Sequence, residues 1–179
     1  QSGRTVLHCA AKNVECIKVI LSRYPEADLA HASTKDEDQK TVLHSARSES
    51  PESIQLIHTH CPTSEIFRFV SMQDENGWTV LHCAALLGNL ESIETILTSL
   101  PESQRLPVLE MTNHDGETVL HCAAHSSKIE CIKAVRSLYP ESERNRVVSM
   151  TDRAGNTVLE RMHVFTRNTI MEWLSESSE

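Results

Sequence analysis

The chain lacks an excess of positive charge and has few glycines. Lys and Arg number 17 against 25 Asp and Glu among 179 residues, so the formal net charge is −8. Nucleic-acid backbones and anionic membrane surfaces both select basic proteins, so this balance argues against either as a partner. With 5 glycines the chain contains no glycine-rich phosphate loop, and it also lacks a GxSxG nucleophile motif.

Long apolar runs are missing as well. No stretch approaches the ~20 apolar residues that a membrane-spanning helix requires. The first residues, QSGRTVLHCAAKN, are too polar for the apolar core of a signal peptide. We therefore expect a cytoplasmic protein. Because the sequence does not begin with Met, we also expect it to be a piece of a longer protein.

A repeated string dominates what is present. TVLH begins at Thr5, Thr41, Thr79 and Thr118, and TVLE begins at Thr157. A period of 36 to 39 residues is typical of stacked helical repeats, in which each unit buries its apolar face against its neighbours. We number these copies units one to five and expect them to form a single domain with these approximate bounds: 1–35, 36–73, 74–112, 113–151 and 152–179.

Each unit carries the pattern of a helical pair. A short helix is predicted after each threonine, as in LHCAALL from Leu81. A second follows in the first four units, and in unit three Ile93, Ile96, Leu97 and Leu100 lie on one helical face. A proline then precedes a further segment with apolar residues near its end, as in PESQRLPVLEM from Pro101. The pattern therefore predicts an all-α protein.

The repeat resembles that of the ankyrin family. Gly77-Trp78-Thr79-Val80-Leu81-His82-Cys83-Ala84-Ala85 and the matching string from Gly116 to Ala124 are similar to the family pattern of a turn glycine, Thr-Pro-Leu-His and an alanine pair. The resemblance implies an ankyrin-type solenoid of five units. It also implies that the histidine of each TVLH string joins adjacent turns by hydrogen bonds.

Several features depart from that family pattern. Val replaces the usual Pro, and the extra residues of each period fall after the recurring proline, so we expect a short third helix there in each full unit. Gln39 replaces the turn glycine of unit two, which predicts a strained or irregular turn. Unit five has Glu160 in the histidine position and Arg161, Met162 and His163 after it, as expected of a terminal cap.

Five of the 6 cysteines occupy equivalent positions in different units and Cys61 stands alone, which favours reduced, buried thiols over disulfides. A buried thiol is a poor nucleophile, so we expect no catalytic residues and no enzyme. Adjacent His-Cys pairs on a helix point in different directions and do not chelate a metal. We expect no metal and no cofactor, although His58, His60 and Cys61 leave a weak metal site as a third alternative.

A protein partner is the expectation that the resemblance supports, because ankyrin arrays usually bind proteins through the turn tips and the first helix. The predicted contact residues flank the turns or follow the alanine pair. They are Trp78, Leu86, Leu87, Glu75, Glu37, Lys40, His114, Glu117 and His125. Exposed Trp and Leu ringed by acids indicate a binding hot spot that favours a partner with a basic segment. For Leu87, inward packing is an equal alternative.

Two functions remain open at this point. The first is a protein-binding scaffold. The second is the targeting domain of a larger enzyme or bacterial effector whose catalytic part lies outside this fragment, because the irregular period and the PES segments loosely resemble arrays in effectors of intracellular bacteria. In that case the expected location is the host cytoplasm.

Overall fold

The structure is a computed structural model that describes residues 3–11, 13–23, 34–46, 52, 56 and 63–176. These residues form helices joined by tight turns, with one isolated β-bridge between Thr151 and Thr157 and no strand within the described ranges. The all-α prediction is therefore confirmed. Residues 24–33, which include the third segment of unit one, and residues 57–62, which include His58, His60 and Cys61, lie outside the described residues.

The helices follow the order that the repeat predicts. In chain order they are α1 (Val6–Ala10), α2 (Val14–Arg23), α3 (Val42–Ala46), α4 (Thr63–Ser71), α5 (Val80–Leu86), α6 (Leu90–Thr98), α7 (Glu102–Leu109), α8 (Val119–His125), α9 (Ile129–Ser137), α10 (Arg144–Ser149), α11 (Val158–Arg161) and α12 (Val164–Glu176). The expected third helix follows the proline in units two, three and four as α4, α7 and α10. A 3₁₀ turn, Glu141–Glu143, leads into α10.

Each first helix begins at the threonine of the repeat. In unit three the Thr79 side chain accepts the His82 backbone N–H, and His82 Nδ1 accepts the Thr79 backbone N–H at 3.2 Å. This reciprocal pair is a capping box, which satisfies N–H groups that a helix start leaves without partners. Glu160 forms the same box with Thr157 in unit five. The sequence TVL[HE] therefore specifies the start of the first helix.

The same histidines join neighbouring units. Because Nδ1 of His82 accepts a hydrogen bond, its Nε2 carries the proton and donates to the Glu117 carbonyl of the next unit at 3.1 Å. His8 and His44 make the equivalent bonds to the carbonyls of Lys40 and Trp78 at 2.9 and 2.8 Å. This geometry agrees with the bridging role that the resemblance implied for His8, His44 and His82. The prediction fails for His121, because its buried Nε2 has no hydrogen-bond partner among the described residues.

Backbone hydrogen bonds also connect the turn tips. Glu75 N–H donates to the Asp38 carbonyl at 3.1 Å, and His114 N–H donates to the Asn76 carbonyl at 2.9 Å. Small buried residues let the first helices lie close together, since Ala84 is fully buried and α5 packs against α8. One continuous apolar core extends from unit one to unit five, as expected of stacked repeats.

The turn of unit two is strained but follows a regular path. Gln39 adopts φ 57°, in the left-handed region where the other tips have glycine. The turn still forms the hydrogen bonds of the other tips, from Asp36 N–H to the Lys40 carbonyl and from Gln39 N–H to the Asp36 carbonyl. Of the two predicted alternatives, the turn shows strain, the unfavourable φ of a residue with a Cβ, and not an irregular path.

We predict that Gln39→Gly stabilises the protein by about 1 kcal/mol, because glycine adopts this φ without steric cost. Gln39 is exposed, so its side chain contributes little packing. Urea unfolding monitored by circular dichroism measures the change, with Gln39→Ala as the control that retains the Cβ. Equal stability of the glycine and alanine variants would contradict the assignment of strain.

The described cysteines of units three and four are buried as predicted, but those of unit one are not. Cys83, Cys122 and Cys131 are buried, whereas Cys9 and Cys16 are exposed. Within the described chain no unit lies on the outer side of α1 and α2, so their outer face meets solvent and Val6 is 73% exposed. The prediction of a buried thiol is therefore wrong for Cys9 and Cys16.

None of the described helices is long and apolar enough to cross a bilayer.

Candidate functional site

Between the tips of units two and three lies an open hollow of about 310 Å³. Its lining comes from both tips and from α5: Lys40, Asp74, Asn76, Trp78, Cys83, Leu86 and Leu87. We call it the unit-three hollow. The capping box positions α5 directly after the tip, so side chains at the C-terminal end of the helix and on the turn face the same space. A few polar groups beside an apolar wall are typical of a recognition site.

Two leucines form the apolar wall of this hollow. Leu86 is 40% exposed and Leu87 is 42% exposed, so the inward packing considered for Leu87 is not observed. Trp78 is half-buried and packs against the core. Its ring meets the His82 ring edge-on at 6.2 Å between centroids, which fixes its orientation.

Lys40 and Asp74 are the charged groups of the hollow. The Lys40 ammonium is directed to the Asp38 carboxylate at 3.0 Å. Asp74 is buried, and its Oδ1 accepts the backbone N–H groups of Asn76 and Trp78, each at 2.9 Å. These bonds hold the turn in shape, as side-chain oxygens of Asp commonly do. They also place a carboxylate at the wall of the hollow.

Three of the predicted contact residues lie on the tips outside the hollow. Glu37, Glu75 and His114 are exposed. The exposed carboxylates of Glu37 and Glu75 belong to the tips of units two and three, which also contribute Lys40 and Asn76 to the hollow. The two tips that border the hollow therefore carry exposed acidic side chains.

Glu117 is placed differently from the other predicted tip residues. It is only 6% exposed, and its carboxylate accepts hydrogen bonds from Asn113 Nδ2 and His125 Nε2, each at 2.9 Å. Burial opposes its ionisation, but these hydrogen bonds outweigh burial and keep the pKa of the Glu117 carboxyl below its usual value. Glu117 and His125 thus bind each other and do not form a free acidic rim.

Unit five presents an intramolecular ion pair at its tip. Arg161 lies four residues after Thr157, where unit three has Cys83, and its guanidinium binds the buried Asp152 carboxylate. Burial opposes ionisation of Asp152, but hydrogen bonds from the Asn156 backbone and from Arg161 outweigh it and lower its pKa to about 2.

Two buried thiols have pKa values unsuited to nucleophilic chemistry. Burial raises the pKa of Cys131 to about 11 and raises that of Cys122 further, and the protonated thiol is a poor nucleophile and a poor metal ligand. Within the described ranges, no three His, Cys, Asp or Glu side chains are arranged to hold a metal ion.

Of the nine residues predicted for binding, four line one hollow: Lys40, Trp78, Leu86 and Leu87. Glu37, Glu75 and His114 lie on the tips, and Glu117 and His125 form a separate pair. The predicted set did not include Asp74 or Cys83. The missed signal is the pairing of the tip aspartate Asp74 with a short side chain, Cys83, four residues after the threonine, where unit five has Arg161.

Comparison with protein families agrees with the repeat geometry. A family model described as ankyrin repeats (3 copies) matches residues 63–145, and a single ankyrin repeat model matches residues 2–35. Together these matches span well over half of the chain. A comparison with curated proteins found no match.

Proposed function

Because the chain belongs to the ankyrin repeat family, whose members generally bind other proteins, we propose that it is a scaffold that binds a partner protein at the unit-three hollow. In this proposal Trp78, Leu86 and Leu87 form the apolar contact. Lys40, Glu37 and Glu75 form the charged rim, with His114, Glu117 and His125 on the adjoining unit.

The exposure of Leu86 and Leu87 beside a half-buried Trp is the observation that carries this proposal. A tryptophan with fixed orientation loses little conformational entropy when a partner covers it, and exposed leucines contribute apolar area. Both leucines would gain burial on binding. A surrounding polar rim is also characteristic of binding hot spots.

Charge supports a basic segment on the partner. The tips beside the hollow carry the exposed carboxylates of Glu37 and Glu75, and the chain has a net charge of −8. Opposite charges accelerate association and orient the partner, and the effect weakens as salt screens it. We therefore expect faster association at low ionic strength.

A peptide display library selected on the purified chain tests this proposal. We expect the enriched peptides to bind Leu86→Ala and Leu87→Ala at least about tenfold more weakly than the wild type, because each substitution removes apolar contact area. Fluorescence anisotropy with labelled peptides measures the dissociation constants, and circular dichroism checks that the variants fold.

Leu138 offers a matched control. It is 37% exposed, similar to Leu86 and Leu87, but it follows α9 in unit four and does not line the hollow. Leu138→Ala should therefore leave peptide affinity unchanged. Peptides that lose affinity with Leu138→Ala and retain it with both hollow variants would refute the proposed site.

A further inference from the structure

The turn tips contain three buried aspartates in equivalent positions, five residues before the threonine: Asp36, Asp74 and Asp152. In each, Oδ1 accepts two backbone N–H groups of its own turn. The geometry of the turns is therefore the same at all three tips. What differs is the group that binds the other side of the carboxylate.

Arginine binds two of these aspartates. Arg4 Nε donates to Asp36 Oδ2 at 3.4 Å, and Arg161 donates to Asp152 Oδ2. Arg161 reaches its aspartate from the position that Cys83 occupies in unit three. The shorter cysteine cannot fill the same space, so the hollow is open where unit five holds a guanidinium.

Asp74 is the exception. Among the described side chains, none forms an ion pair with its carboxylate, although the carboxylate lies at the wall of the hollow beside Trp78. The tip of unit four offers a third arrangement, since Asn113 replaces the aspartate there and binds Glu117. Asp74 is thus the tip aspartate in the described chain that has no arginine.

We propose that the unit-three hollow receives an arginine side chain of the partner, whose guanidinium binds Asp74 as Arg161 binds Asp152. This inference rests on the proposed protein-binding function and names the residue type that the hollow recognises. The aliphatic stem of the arginine lies against Leu86, and the planar guanidinium stacks near Trp78. Arginine suits this site better than lysine because its planar group can pair with a carboxylate and stack on an aromatic ring.

Lys40 is the cation among the described residues that line the hollow. It directly precedes the threonine of its unit, as Arg4 does in unit one. Arg4 binds the aspartate of the next unit, but among the described contacts no ion pair joins Lys40 to Asp74. The Lys40 ammonium is bound to Asp38 at 3.0 Å. With Glu75 and Glu37 also on these two tips, the charge around the hollow remains negative, which favours a guanidinium.

Titration with short peptides tests the inference directly. The probe is acetyl-Ala-Arg-Ala-amide, compared with the same peptide containing lysine or uncharged citrulline. The chain contains 2 tryptophans, so the two indole N–H resonances are resolved by NMR. We expect arginine to shift the Trp78 resonance saturably, and lysine and citrulline to bind at least about fivefold more weakly. Trp173, whose ring lies near the Lys133 and Arg136 side chains, should not shift.

Asp74→Asn is the decisive variant, because the chain already shows that asparagine holds this turn. Asn113 Oδ1 accepts the N–H groups of Asp115 and Glu117 at 2.9 Å each. We expect this variant to fold and to bind the arginine peptide at least about fivefold more weakly. An unchanged affinity, or equal binding of citrulline, overturns the inference. If display-selected peptides still need Leu86 but not arginine or Asp74, the scaffold function holds and only this inference fails.

Discussion

Gly77→Ala should destabilise the protein by about 3 kcal/mol, since it combines backbone strain with a steric clash. Gly77 adopts φ 77°, and a Cβ there would lie 2.7 Å from the His114 backbone nitrogen. That nitrogen donates to the Asn76 carbonyl at 2.9 Å, which joins the tips of units three and four. The alanine variant must move one tip away from the other. Urea unfolding measures the loss.

Gly155→Ala separates the two contributions. Gly155 adopts φ 82°, but a Cβ there would meet no atom within 4 Å. We therefore expect this variant to be destabilised only by backbone strain, by about 1 kcal/mol. Equal destabilisation by Gly77→Ala and Gly155→Ala would contradict close stacking of the tips.

Stability should fall as the pH drops below 6.5, because His82 is buried as the neutral imidazole. Burial lowers its pKa from 6.5 to about 4. Between these values the unfolded chain binds a proton that the folded chain does not, so the unfolded state gains stability. Protonation would also remove the Nδ1 acceptor of the capping box. The full effect is about 3 kcal/mol, of which about 2 kcal/mol is lost between pH 7 and pH 5.

Denaturant unfolding at pH 7 and pH 5 measures this loss while the carboxylates remain largely ionised. Burial also lowers the pKa of His121, which adds to the effect. His82→Gln is the control, since Gln can complete a capping box and does not titrate. Its stability should depend less on pH than that of the wild type. Equal pH dependence in both proteins would show that His82 is not the group responsible.

The repeat predicted the helices well because local signals and packing agree there. Thr and His at fixed spacing form the capping box, and the alanine pair permits close approach of neighbouring helices. The conformation of Gln39 was harder to predict. Hydrogen bonds of the turn and contacts with neighbouring units outweigh the cost of a left-handed φ, so the backbone retains the shape that glycine adopts at the other tips.

The candidate site was predicted less completely than the fold. Trp78, Leu86 and Leu87 stand out as large apolar residues at positions that are polar in most other units. Whether a carboxylate is exposed or paired depends on tertiary contacts. Glu117 and Asp115 are two residues apart, yet Glu117 is buried and bound by His125 while Asp115 is exposed. The repeat pattern does not predict which side chains contact each other in the folded protein. The predicted acidic surface therefore wrongly included Glu117.

The most direct test of the proposed scaffold function is an amide chemical-shift map of the chain, recorded with a display-selected peptide. We expect the largest shifts between Asn76 and Leu87, together with the indole resonance of Trp78. Shifts concentrated on α9 or α12, with the Trp78 indole unmoved, would contradict it.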